Sequence, residues 1–326
     1  MRRRAVLGGL AAIAASSLAA RAQHARSIPT VGYLFSFARG GGEHLWQACR
    51  LGLREAGYVE GVTIKVEPRW AEGDHGRLPE LVRDLVDRRV DVIVAAATPA
   101  SLAAKSGAGR TPIVIVAVAD PVRIGLAASY SRPEGRVTGL SLLTPEVSAK
   151  RLQLLSTLLV DASRIATLGN PANPSHRVFF EETLAAAREA GIALVEHEAH
   201  DARRIEQAIR AAARAGVSAM LVFDDPVIWS HRKLVVSLAE TLRMPTMYGY
   251  SDFVADGGLV SYGPHRPDLY RRTGHYVDRI LKGADPGELP IERPIRFELA
   301  LNLRTARALG LTIPPALLAR ADEVIE

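Results

Sequence analysis

The sequence predicts an α/β protein built as two Rossmann-like, doubly wound lobes. Three observations carry that prediction. Strands and helices alternate along the chain, several strands are near-continuous apolar runs, and the same rhythm restarts after about residue 145. Runs such as residues 90–97 (VDVIVAAA) and 112–118 (PIVIVAV) lack the in–out alternation of a strand with one wet face. They read as central parallel strands covered on both sides.

The elements follow in order. Residues 30–35 (TVGYLF) open the fold as a short apolar strand, and Gly40, Gly41 and Gly42 read as a loop. An amphipathic helix over 44–57 stops at Gly57, a common helix terminator. Residues 62–68 alternate as a second strand, 77–88 form a helix, and 90–97 form the first buried strand. Thr98 is a good N-cap and Pro99 suits a first helical turn, so a helix over 100–108 follows, and then the strand 112–118. In the second half, helices are expected over 148–159, 174–190, 202–215 and 230–242, with Gly191 and Gly216 ending the second and third. Strands are expected over 164–169 (RIATLG), 192–197, 219–223 (AMLVF) and 245–248. No low-complexity linker separates the halves.

The first 22 residues have the grammar of an export signal. Arg2, Arg3 and Arg4 precede an apolar, Ala-rich stretch over 6–18, and Ala20-Arg21-Ala22 offers small residues for cleavage before Gln23. The apolar stretch is shorter than the roughly 20 residues a spanning helix needs, and no second run of that length follows. The arginine pair also fits a loose twin-arginine pattern, so Sec and Tat routes both stay open. Loss of this leader removes four arginines and no acid, lowering the formal charge from +6 to about +2. With acids and bases interspersed, nucleic-acid binding loses its main support. The single cysteine, Cys49, shares an apolar helical stripe with Leu45 and Leu53. It cannot form an internal disulfide and reads as a small buried hydrophobe.

Open α/β sheets bind ligands at the carboxyl ends of their strands, so the residues after each strand are the candidates. The first half offers Ser36 and Phe37, then Thr98 at a helix start, where free N–H groups can meet a carboxylate, then Asp120. The second half offers Asn170, Asn173, Asp225 and Tyr250, with Tyr262 a further candidate. Asp224 and Asp225 are adjacent, so on a strand end they point opposite ways rather than forming an acid–base dyad. There is no H-E-x-x-H, C-x-x-C, G-x-S-x-G or nucleotide-binding glycine motif, and the nine histidines are scattered, His197 and His200 included. No catalytic residue, metal ligand set or cofactor is therefore assigned.

Residues 110–139 (RTPIVIVAVADPVRIGLAASYSRPEGRVTG), 247–263 (MYGYSDFVADGGLVSYG) and 276–326 resemble ABC-transporter substrate-binding proteins with the type I periplasmic-binding fold. The resemblance is to the branch related to tryptophan/tyrosine-binding proteins, and it covers essentially the whole chain after the leader. It implies two lobes joined by three crossovers, near 139–145, 258–263 and 290–296. The first lobe would comprise 28–142 plus 261–292, and the second 143–260 plus 293–326. It also implies a monomeric periplasmic receptor that closes on a small amino-acid-like or carboxylate solute and delivers it to an ABC permease in the inner membrane. In that scheme Ser36, Phe37, Thr98 and Asp120 contact the ligand from one lobe, and Asn170, Asn173, Asp225 and Tyr250 from the other. Thr98 would meet a carboxylate, Asp120 or Asp225 an ammonium, and Phe37 or a tyrosine would stack on the side chain. An exported sensor of the same fold, serving a signalling partner, is the alternative. An exported α/β enzyme would need a nucleophile or metal that the sequence does not supply.

Overall fold

Parallel pairing of buried apolar strands builds the first lobe. The computed structural model describes residues 28–142, 146–159 and 161–326; the expected leader over 1–22 lies outside them. Strands β1 (Thr30–Phe35), β2 (Lys65–Trp70), β3 (Val92–Ala96), β4 (Ile113–Val118) and β5 (Val137–Ser141) form one sheet in the order β2-β1-β3-β4-β5, all parallel. Every residue of β3 and β4 is buried, as their unbroken apolar runs require. Helices α1 (Arg39–Glu55), α2 (Leu78–Asp87) and α3 (Thr98–Gly107) return the chain between strands.

The second lobe repeats the plan on a wider sheet. It contains α4 (Glu146–Thr157), β6 (Arg164–Gly169), α5 (Ser175–Ala190), β7 (Ala193–Glu198), α6 (Ala202–Arg214) and β8 (Ala219–Val222). These are followed by α7 (Pro226–Ser230), α8 (Arg232–Thr241), β9 (Thr246–Tyr248), α9 (Ser251–Ala255) and β10 (Val260–Pro264). Helix α10 (Arg266–Leu281) then crosses back onto the first lobe, packing on α1, β4 and β5. The tail supplies β11 (Phe297–Asn302), α11 (Leu303–Leu309), α12 (Pro315–Leu318) and β12 (Glu323–Ile325) to the second lobe. The seven strands run β12-β11-β10-β9-β8-β6-β7, with β11 antiparallel to β10. Two Rossmann-like lobes joined by three crossovers are the architecture the sequence and its resemblance led us to expect.

The crossovers lie side by side. Ser141 N donates to Glu292 O at 2.8 Å, Glu292 N to Gly139 O at 2.9 Å, and His265 N to Arg296 O at 3.0 Å. Gly139 has φ +134, and a Cβ there would lie 2.1 Å from Ile115 O, so only glycine lets this strand run against β4. On the other side, α1 and α10 touch backbone to backbone: a Cβ on Gly52 would lie 1.8 Å from Arg271 O, and one on Gly274 2.2 Å from the Gly52 carbonyl carbon.

Several boundaries differ from the expectation. The second crossover, expected within 258–263, falls at His265, because β10 stays hydrogen-bonded to β9 and β11 in the second sheet. Residues 261–264 therefore sit with the second lobe rather than opening the return to the first. Gly40, Gly41 and Gly42 are the first turn of α1, not a loop. The helix expected over 230–242 is two helices broken at His231, and it starts four residues earlier, because Asp225 caps α7. Cys49 is fully buried with Leu45 and Leu53, and burial pushes its thiol pKa up to about 12, so it stays protonated at neutral pH. Among the described residues no helix is long and apolar enough to cross a membrane.

Candidate functional site

The carboxyl ends of the two sheets face each other, and between them lies a narrow cavity, with about 20 Å³ of free space, walled by both lobes. Two left-handed residues shape its first-lobe wall. Ala97 (φ +70) follows β3, and Ala117 (φ +58) sits at the register shift between β4 and β5. A non-glycine residue at positive φ costs about 1–3 kcal/mol and is tolerated where the surroundings over-determine it. Both residues line the cavity.

Aromatic rings form most of the remaining wall. Phe37 of the first lobe meets Trp229 of the second edge to face, at 4.9 Å between centroids. Tyr250, Tyr270 and Phe179 complete this surface. Arg266, at the hinge end of α10, lies with its guanidinium carbon 4.3 Å from the Trp229 ring centroid and 3.9 Å from that of Tyr250. It is 5 % exposed and pairs through Nη2 with Asp252. Burial alone would raise the Asp252 pKa, but the Arg266 charge overrides it and holds the carboxyl below its ordinary value.

The polar groups divide into spent and unspent. Asp225 caps α7 through Val227 N (2.8 Å) and Ile228 N (3.0 Å), and also accepts from Asn170 and Asn173 Nδ2 (2.9 Å for Asn173). Asp224 points the other way. Its Oδ2 accepts from Arg151 Nη2 at 2.9 Å, and its Oδ1, also buried, has no partner among the described residues. Trp229 Nε1 is likewise buried and unpartnered. Arg266 Nε and Nη1 meet no acceptor among the described residues. Thr98 Oγ1 and Ser175 Oγ lie 2.6 Å apart, hydroxyl to hydroxyl across the cleft.

The expected site residues are thus placed unevenly. Phe37, Thr98, Asn173, Asp225 and Tyr250 line the cavity. Ser36, Asp120 and Asn170 do not, and each has a local task. Ser36 Oγ donates to Ala96 O and accepts from Ala100 N, both at 3.0 Å, tying β3 to α3. Asp120 Oδ1 caps the turn at Val122 N and Arg123 N. Asn170 braces Asp225 and the Ala172 turn. Thr98 does not cap α3. Ala97 holds the cap position, and Ser36 already takes the Ala100 N–H, which leaves the Thr98 hydroxyl free for Ser175. Tyr262 stacks on Phe297 away from the cavity.

Sequence reasoning passed over Arg266, Trp229, Ser175, Phe179 and Tyr270 as site residues and treated Asp224 only as a neighbour of Asp225. Trp229 follows the Asp224-Asp225-Pro226 tip by three residues, one helical turn, and that spacing could have found it. Arg266 follows a crossover rather than an inspected strand tip, and nothing local marks it. His176 also comes near Glu196 and Glu198, with ligand atoms within 4.8 Å, although the sequence spacing suggested no such group. His176 Nε2 is engaged by Glu196 at 2.9 Å.

Comparison with known proteins agrees with this geometry. The model of the ABC transporter substrate binding protein family matches residues 44–325. A tyrosine-binding protein of Clostridioides difficile is 26 % identical over 260 residues, covering 79 % of this chain and 74 % of that protein. The structure of a conserved domain protein from Vibrio cholerae superimposes with TM-score 0.87 at 28 % identity, over 91 % of this chain and all of that one. A domain from Streptococcus pneumoniae in complex with L-Trp superimposes with TM-score 0.86 at 27 % identity, over 92 % of this chain and all of that one. Two lobes of parallel α/β sheet, a walled cavity between them and a family match along nearly all of the described chain place this protein among the ABC transporter substrate-binding proteins.

Proposed function

We propose that this protein captures an amino acid, with an aromatic one favoured, between its lobes and delivers it to an ABC importer as a monomer exported to the periplasm. It makes and breaks no bond in doing so. The observation that carries the reading is the pair of buried, unsatisfied groups around one cavity, a carboxylate oxygen on Asp224 and an indole N–H on Trp229, beside the Arg266 guanidinium. A buried polar group left without a partner costs about 1–3 kcal/mol, so these groups favour a guest that supplies both a cation and an anion. The ammonium of an amino acid suits Asp224, and its carboxylate suits Arg266 and Trp229. The Thr98 and Ser175 hydroxyls are within the same wall to assist. The aromatic faces of Phe37, Trp229 and Tyr250 suit an apolar side chain. The tyrosine-binding relative and the L-Trp complex support the same ligand class. Ligand contacts drawn from both lobes would favour the closed form only by their surplus over contacts made when open.

The test begins with protein unfolded and refolded to strip any resident solute, then melted against a panel of L-amino acids, aromatic acids and short carboxylates. A ligand at a hundred times its Kd adds about 2.7 kcal/mol, which for a lobe of this size raises Tm by about 5–10 °C. Calorimetry should then give one site per chain. If nothing in the panel moves the melting point, the ligand class is wrong.

A further inference from the structure

The second lobe has another cavity, on its outer face. It lies between α8, the turn at Gly257–Leu259 and α11, with a volume of about 330 Å³, and shares no residue with the interlobe cavity. Its inner surface is apolar: Val236, Ala239, Met244 and Leu259 are buried beneath it. Its wall also includes Tyr248, which is fully buried and stacks on Phe253 at 4.5 Å.

The rim is charged. Asp256 is taken by Arg232, at 2.8 Å. Arg243 and Arg304 are exposed, and neither forms an ion pair among the described residues. Glu240 is the one other acid on the rim, and with Asp256 already paired it faces two unpaired arginines. An apolar chamber below two free guanidinium groups matches a guest with a flat apolar body and one anionic group.

We propose that this cavity is a second small-molecule site, taking an aromatic carboxylate or sulfonate whose anion meets Arg243 and Arg304 and whose ring lies over Val236 and Met244. The proposal is independent of what the interlobe cavity binds.

The aromatic sulfonate 8-anilinonaphthalene-1-sulfonate serves as the probe, read by its fluorescence gain on titration into the full mature chain. One probe should bind per chain. The double variant Arg243→Glu/Arg304→Glu alters only exposed side chains and should weaken binding at least tenfold. Ala308→Trp, which fills the cavity from the exposed face of α11, should do the same. Arg266→Gln, in the interlobe cavity, should leave the affinity within twofold. Absence of stoichiometric binding would overturn the proposal. So would binding indifferent to both cavity variants, or binding lost with Arg266→Gln.

Discussion

Arg151 and Asp224 offer a severe test of how the floor of the cleft is held. Their side chains are each 2 % exposed, and Arg151 Nη2 lies 2.9 Å from Asp224 Oδ2. Arg151 Nε also donates to Tyr262 O at 2.7 Å, so the guanidinium joins α4, the tip of β8 and strand β10. Removing one member of a buried pair leaves the other charge without compensation, at a cost of about 3–5 kcal/mol. Arg151→Met strands the carboxylate of Asp224. Asp224→Asn strands the guanidinium, with the cost at the lower end because the amide oxygen still accepts one hydrogen bond. The double variant removes both charges and should recover most of the loss. For a lobe of this size each kcal/mol moves Tm by about 2–4 °C, so each single variant should fall by about 6–20 °C. Ligand-free thermal melts of the four proteins complete the cycle, with a coupling above about 2 kcal/mol expected. Single losses below 1 kcal/mol, or losses that simply add in the double variant, would refute a buried pair holding this floor.

Two further predictions follow from charges at the cleft. Arg123 of the first lobe reaches Glu181 at 2.5 Å and Glu182 at 2.6 Å on α5 of the second, and these pairs can form only when the lobes are together. They are partly exposed and screened by salt, so Arg123→Ala should raise Kd a few-fold at low salt through a faster off-rate. Stopped-flow release at 20 and 300 mM salt checks this; an off-rate equal to that of the parent at both would remove the latch. Separately, burial lowers the pKa of His75 and His197, against the opposing pull of Asp225 and Asp74 on the first. The unfolded chain then binds more protons below about pH 6.5, the ordinary histidine value. The stability these groups contribute is full above that pH and is lost as pH falls through their lower folded values. Melting points should therefore drop between pH 7.5 and 5.5, well above the range in which carboxylates such as Asp252 titrate, and His75→Gln should flatten part of the slope. A melting point constant across that interval would contradict the burial of these imidazoles.

The elements most legible in the sequence are those where one physical demand acts alone. Central strands β3 and β4 have no wet face, so their composition states their place. Strand β5 was not expected. It is short, and Gly139 interrupts its pattern for a reason that exists only in three dimensions, the approach of Ile115 O. The start of α1 was misjudged because a glycine run has poor helix propensity, and tertiary packing overrides so weak a preference. Trp46, Cys49 and Leu53 further along the helix are anchored in the core and carry its first turn with them.

The candidate site divides along the same physical line. Position at a strand tip is a one-dimensional fact, and Phe37, Asn173, Asp225 and Tyr250 could be found by it. Orientation is not. Ser36, Asp120 and Asn170 occupy equivalent tips, yet backbone N–H groups two or more residues away, or a neighbouring carboxylate, claim their side chains first. Short polar residues after a strand are as well suited to closing a turn as to greeting a ligand. Arg266 shows the converse. It reaches the cleft because the second crossover ends at His265, so that α10 begins beside the hinge. A group at the hinge moves least as the lobes rock, while Trp229, Tyr250 and Asp252 approach it from the second lobe. In the closure we propose, Arg266 would hold a guest's anion before the second lobe's rings gather round it, which is the difference in contacts that such a mechanism requires.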